Sequence, residues 1–268
     1  MITQKNFINN SLLKIIAGLF PTLIIASTLS LPSLAQTTTN NSVKTESNLN
    51  IKTRKNTQTQ RVIKFPVSPN RGQPKRSVAG GRRGITCLVT NNEKSSLIAI
   101  MPTWENEGKT VQDTSSLYVF VPENNTKIAE FVLIDEDGNE AYLKNFVPPN
   151  KPGIVQIDIP ASANLKVGKN YQWYFTLICD PNDRSVDEYV SGSLERTTIN
   201  SIFNSYIHRA TLFRQAEIYA QQEIWYDTIT NVAKIRSNSP ETWVSLLESV
   251  GLKELANQPF VEINQIQQ

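Results

Sequence analysis

The sequence predicts an α+β protein, an antiparallel immunoglobulin-like β-sandwich followed by a carboxy-terminal bundle of about three helices. Three observations carry that expectation. Between Thr86 and Arg196 apolar residues recur at every second position, the period of a half-buried strand. After Arg196 the apolar period becomes three to four, that of an amphipathic helix. Two cysteines, Cys87 and Cys179, lie towards the two ends of the alternating region, where a bond between them would tie its first strand to a late one.

Ahead of the sandwich the chain divides into two segments. Lys5 and Lys14 are the only charges among the first 35 residues, and the apolar run from Ile15 to Leu31 is too short and too interrupted to span a membrane comfortably. Ser33 and Ala35 place small residues three and one before a cut, as a signal-peptide cleavage site requires. Residues 1–35 therefore read as an export signal cleaved after Ala35, with an uncleaved anchor as the alternative. The mature form is expected outside the cytoplasm, in the periplasm or cell envelope, and not membrane-spanning.

Residues 36–86 then hold eleven Lys or Arg against one acid, Glu46, a net charge of +10 within a chain whose total is only +3. The stretch is rich in Asn, Thr, Gln and Ser, is interrupted by Pro66, Pro69 and Pro74, and has few large apolar side chains to offset the entropy of ordering it. Residues 36–80 are expected to form a basic, disordered linker. Nucleic acid is a poor partner for it, because Phe65 is its one aromatic and the chain reads as exported.

The sandwich is expected over 81–197. Leu117, Val119 and Val121 alternate with Tyr118 and Phe120; Phe131 and Leu133 with Glu130 and Val132; Val155, Ile157 and Ile159 with Gln156 and Asp158. Tyr171, Trp173, Phe175, Leu177 and Cys179 share one face of a single strand. No long helical pattern separates these strands, which favours antiparallel pairing. In an oxidising compartment Cys87 and Cys179 are expected to form a disulfide, with two separately buried thiols as the alternative. Immunoglobulin likeness is one of architecture only, since Leu177 stands where a tyrosine-corner residue would precede the second cysteine.

Two acidic clusters lie within this region. Asp135-Glu136-Asp137-Gly138-Asn139-Glu140 sits between alternating strands, where Asp-Gly signals a hairpin; a calcium loop is the alternative reading, and its twelve-residue ligand register is incomplete. Asp180, Asp183, Arg184 and Asp187 form a candidate binding rim just after Cys179. There Asp and Asn beside Pro181 make a tight turn, and Arg184 can pair with Asp180 or Asp183.

Residues 198–268 are expected to form helices packed on the sandwich. Ile202, Phe203, Tyr206, Ile207, Ala210, Phe213, Ala216 and Ala220 trace one stripe, and Ile224, Trp225, Thr228, Ile229, Val232 and Ile235 a second. A third helix is framed by Ser239-Pro240 at its start and Gly251 at its stop, with Trp243, Leu246 and Leu247 inward.

Composition removes several functions. His208 is the sole histidine, so a multi-histidine metal site is excluded, and no Walker loop or GxGxxG motif supports nucleotide binding. Glu217 and Glu223, six apart on one helix, face different ways and do not make a glycosidase pair. No catalytic residue, cofactor or metal is assigned. A hydrolase would have to combine Ser185 or the acidic rim with His208 or a Lys. A carbohydrate-binding module would have to expose rings such as Tyr118 with Phe120, or Tyr174. The favoured reading is a non-enzymatic accessory module of the envelope that binds a protein or a glycan.

The strings Gly80-Gly81-Arg-Arg-Gly-Ile-Thr-Cys87, Tyr171-Gln-Trp-Tyr-Phe-Thr-Leu-Ile-Cys179-Asp-Pro-Asn-Asp-Arg-Ser185, Gly192 with Arg196, and Ile224-Trp-Tyr-Asp-Thr228 together resemble the cyanobacterial family called domain of unknown function 928. The likeness runs from about Gly80 to Phe260, and Cys-Asp-Pro-x-Asp-Arg-Ser is its most specific part. It implies an exported or envelope protein of sandwich plus helices, and it carries over no catalytic residues.

Overall fold

A computed structural model describes residues 61–66, 87–89, 96–104 and 106–266. The segment expected to be an export signal, its expected cleavage site and most of the basic stretch lie outside the described residues. The elements in chain order are β1 (Ile98–Ala99), β2 (Glu107–Thr110), β3 (Ser115–Val121), β4 (Ile128–Asp135), β5 (Glu140–Val147), β6 (Gly153–Ile159), β7 (Asn170–Ile178), β8 (Glu188–Arg196), α1 (Ser201–Ile207), α2 (Leu212–Gln221), α3 (Trp225–Ile235), α4 (Pro240–Ser249) and β9 (Asn264–Gln265).

The strands form two sheets, one of order β1-β3-β6 and one of order β2-β8-β7-β4-β5-β9. Pairing is antiparallel except between β2 and β8, which run parallel, so the larger sheet is mixed rather than antiparallel throughout. The reason is connectivity. From β2 the chain passes directly into β3 of the other sheet, so no hairpin fixes the direction of β2 against its neighbour.

The two-residue period holds where one sheet face is buried. Along β7, Tyr171, Trp173, Phe175 and Leu177 are buried while their neighbours face outward. Phe131 and Leu133 of β4 lie opposite Phe175 and Trp173 in register. In β3 both faces are buried: Tyr118 and Phe120 are as enclosed as Leu117 and Val119. Tyr118 lies edge-on to Trp243 of α4 and to Phe260, and α3 packs on β2 and β3. The helical layer thus covers the rings that a sugar platform on β3 would need to expose.

The Asp-Gly segment is the hairpin between β4 and β5. Asp135 accepts from the N–H groups of Asp137 and Asn139, and Gly138 takes a positive φ of 86° that suits glycine. Hydrogen bonds from Asn139 hold the Asp135 carboxyl below the usual range.

Four helices are found among the described residues, against about three expected. The first apolar stripe is interrupted after Ile207: the turn at His208–Ala210 ends α1, and Thr211 caps α2 by accepting from the Arg214 N–H. With the break, α1 no longer faces the core. Ile202, Phe203 and Tyr206 are 78%, 42% and 52% exposed, and only Ile207 of that helix is buried. Ser239 stands at the start of α4 as expected, with Pro240 in the first turn, but its side chain makes no capping bond. Gly251, with a φ of 81°, follows the end of α4.

Residues 61–66 fall within the stretch that composition reads as a disordered linker, yet they lie extended against α4. Ile63 and Phe65 are buried, and Phe65 meets Trp225 edge to face at 5.1 Å. Composition misses this because two apolar residues two apart suffice for docking when a groove already exists to receive them.

Sheet and helices are joined at one point by a chain of hydrogen bonds. Trp173 of β7 donates its indole N–H to the Tyr226 hydroxyl at 2.8 Å, and that hydroxyl donates to the Ser193 carbonyl at 2.7 Å. Gly192, opposite Trp173 in the β7–β8 register, makes room for the indole: a Cβ there would lie 2.7 Å from the ring.

Candidate functional site

Among the described residues a polar cleft of about 440 Å³ lies between the strand ends and the helices. One wall comes from the sheets: Thr110 ends β2, Ser115 and Ser116 begin β3, and Asp158 stands near the end of β6. The facing wall carries Gln215 and Tyr219 of α2 with Asp227, Asn231 and Lys234 of α3. The local sequence explains the placement. Because α3 buries Trp225, Ile229 and Val232 on its core stripe, Asp227, Asn231 and Lys234, spaced at four and three, fall together on the cleft side.

Asp227 is the centre of this arrangement. It is only 7% exposed, accepts from the Val111 N–H at 3.1 Å, and is also hydrogen-bonded by the side chains of Thr110 and Gln112. Burial is the dominant influence and pushes its carboxyl above the ordinary carboxylate range, while those hydrogen bonds pull the other way. Tyr219 is pushed up to about 12 by burial and by the charge of Asp227. Around them Asn231 donates to Gln215 at 3.2 Å, Ser116 donates to Asp158 at 2.6 Å, and the Ser115 hydroxyl is buried with no hydrogen-bond partner among the described residues.

A pH dependence follows. The Asp227 carboxyl has a folded value raised above its unfolded value of about 3.9, so the stability it contributes is full at lower pH and is lost as pH rises through the folded value. Asp227→Asn removes that loss. Urea unfolding of the variant and the wild type, compared from about pH 4 to about pH 7, should show the difference moving in favour of Asn as pH rises. A pH-independent difference would contradict the assignment.

The rim expected from sequence lies elsewhere, beside the end of β7. Its carboxylates serve the turn: Asp180 accepts from the Asn182 N–H, Asp183 from the Ser185 N–H, and Asp187 from the Cys179 N–H at 3.0 Å. Arg184 pairs with Asp187 and with Glu130, the latter at 2.9 Å, rather than with Asp180 or Asp183. Asp187 is the better placed carboxylate because a 3-10 turn at Arg184–Val186 brings it back over the arginine. The Cys87 and Cys179 sulfurs lie at bonding distance, with Cα atoms 5.3 Å apart, and the Cys87 carbonyl accepts from Asn125.

Arg184 and Asp187 also border a shallow groove on the outer face of the larger sheet, with Tyr174 and Tyr189. These two rings lie 6.2 Å apart, and Tyr189 is 51% exposed.

The residues set aside for a hydrolase occupy separate elements. Ser185 donates its hydroxyl to Asp183 on the rim, whereas His208 closes α1 at the protein surface. Glu217 pairs with Arg214, and Glu223 lies beyond the end of α2 at a positive φ, so the two do not share a helix. Among the described residues no three His, Cys, Asp or Glu side chains converge as a metal-holding set, and no helix is long and apolar enough to cross a membrane.

Two sheets in a mixed α+β arrangement, buttressed by helices and indented by a polar cleft, define the class of scaffold. The chain belongs to the family described as Domain of Unknown Function (DUF928), whose model matches residues 78–260. The match takes in both cysteines and every cleft residue named above. No curated protein and no solved structure matches the chain.

Asp227 stands within the Ile224-Trp-Tyr-Asp-Thr228 string, and the sequence alone assigns it no role. The available signal is an acid directly after an aromatic pair in the first turn of the helix, followed at four and seven residues by Asn231 and Lys234.

Proposed function

We propose that the protein is an exported, non-enzymatic binding module of the cell envelope, and that its cleft takes a polyhydroxylated ligand, a saccharide by class. The observation that carries this reading is the lining of the cleft. Amide, hydroxyl and carboxylate groups converge from β2, β3, β6, α2 and α3, which is the chemistry that replaces water around sugar hydroxyls. The cleft is of ligand size. The buried Ser115 hydroxyl, unpaired among the described residues, supplies a group for which a ligand oxygen is a natural partner.

Export is supported by the amino-terminal charge and apolar pattern and by two cysteines at bonding distance, which suits an oxidising compartment. An immunoglobulin-like packing of the two sheets would suit a module of this kind, with ligand groups gathered at strand ends.

A second reading is favoured by the Tyr174–Tyr189 pair, which offers an exposed aromatic platform for a sugar on the outer sheet face. Calorimetric titration with a panel of neutral and acidic oligosaccharides separates the two. Asn231→Ala should weaken binding of the saccharide bound by the wild type at least about tenfold, the worth of roughly one good hydrogen bond to a buried group, and Tyr189→Ala should leave it unchanged. Loss with Tyr189→Ala and retention with Asn231→Ala would move the site to the outer face. No binding to any member of the panel would refute the saccharide reading.

A further inference from the structure

The segment 61–66 is held in a specific way. Thr242, Ser245 and Ser249 of α4 are spaced at three and four and so form a row of hydroxyls on one face of the helix. Successive hydroxyls are separated by about 4.5 to 6 Å along the helix axis, close to the roughly 6.6 Å that two residues of extended chain cover. The periods match nearly enough for each hydroxyl to meet every second residue of a strand.

That is the pattern observed. Thr242 donates to the Arg61 carbonyl at 2.6 Å. Ser245 contacts both the N–H and the carbonyl of Ile63, at 3.2 and 3.1 Å, and Ser249 accepts from the Phe65 N–H at 2.9 Å. Ser249 can accept from the strap while donating to the Leu246 carbonyl, its own preceding turn. These contacts read backbone and so are independent of side-chain identity. Selectivity comes from the two inward side chains, Ile63 and Phe65, with Val62, Lys64 and Pro66 facing outward. Glu248 on the edge of the groove feels the charge of Lys64.

We infer that the groove along α4 is a docking site for an extended polypeptide segment with bulky apolar residues two apart and a basic residue between them, and that residues 61–66 occupy it in cis as a displaceable strap. Groove and occupant differ in one telling respect. Thr242, Ser245, Ser249 and Trp225 all lie inside the region matched by the family, whereas the strap lies before it. The site belongs to the body and its resident ligand is an appended piece of chain. The groove is separate from the polar cleft, so the inference stands apart from the saccharide reading.

The test uses the full chain with Ile63→Asp and Phe65→Asp, which release the strap, and a fluorescent synthetic peptide of residues 60–68. Anisotropy should show saturable binding to the released chain at least about tenfold tighter than to the wild type, whose groove is filled. Adding Ser245→Ala and Ser249→Ala should weaken that binding about tenfold again. A released chain that keeps its far-ultraviolet circular dichroism and its disulfide but does not bind the peptide overturns the inference, as does equal binding by the wild type. Should the released chain fail to fold, hydrogen exchange of the wild type decides. Excess peptide should speed exchange at the Ile63 and Phe65 amides, and unchanged protection at saturating peptide overturns the inference. A crosslink from Lys64 of one copy to Glu248 of another would overturn the cis assignment.

Discussion

Replacing Cys87 with Ala lowers the stability of the oxidised protein by about 4 to 5 kcal/mol, the chain-entropy value for a bond that closes a separation of 92 residues. A loss of that size moves the thermal midpoint down by roughly 10 to 15 °C for a body of this length. Reductant should lower the midpoint of the wild type towards that of the variant and leave the variant where it is. Much of the effect resides in the unfolded chain, which the bond otherwise confines, so the folded variant should keep its secondary structure. Equal midpoints for variant and oxidised wild type would refute the role of the bond.

The second large effect is expected at Gly192. Valine there places a Cβ 2.7 Å from the Trp173 ring, which is itself buried and cannot retreat without losing its hydrogen bond to Tyr226. Overpacking of this kind costs about 1 to 3 kcal/mol, and leaving the indole donor unpaired adds about 1 to 3 more. Gly192→Val should therefore lower the urea midpoint by far more than Gly138→Ala. At Gly138 nothing lies within 4 Å of the added Cβ, and only the positive φ of 86° resists, at about 1 to 2 kcal/mol. Similar losses at the two positions would show that Trp173 and Gly192 are not tightly packed.

These two positions differ in how far the sequence announced them. The cysteines and the β7 face from Tyr171 to Leu177 were legible because burial on one side of a strand imposes a period of two. The β3 strand carries the same alternation, but its second face is also covered, by α3, α4 and Phe260. Alternation reports what a strand could leave outside and says nothing of what packs on it later. In the same way Ala210, Phe213 and Ala216 kept the helical period running through the break between α1 and α2, and the capping role of Thr211 was masked by it.

The cleft was the least legible feature. Asp227 takes its hydrogen bonds from Thr110, Val111 and Gln112, more than a hundred residues earlier, and no local pattern encodes such a meeting. The rim, by contrast, was visible as a cluster because its residues are adjacent in sequence. Adjacency proved to serve the turn: each carboxylate is engaged by a nearby N–H, and Asp187 ties that turn to the backbone of Cys179. The strap was hidden for a further reason. Its hydroxyl partners, at 242, 245 and 249, form a helical row that becomes meaningful only when an extended segment lies beside it.

The central claim, that ligand is held in the polar cleft, is tested most directly by mapping backbone amide shifts while the bound oligosaccharide is titrated into the isotopically labelled protein. The account predicts that perturbations concentrate at Thr110–Gln112, at Ser115 and Ser116, at Asp158 and along α3 from Asp227 to Lys234. Perturbations confined to Tyr174, Thr176 and Tyr189, or spread evenly over the surface, would contradict it.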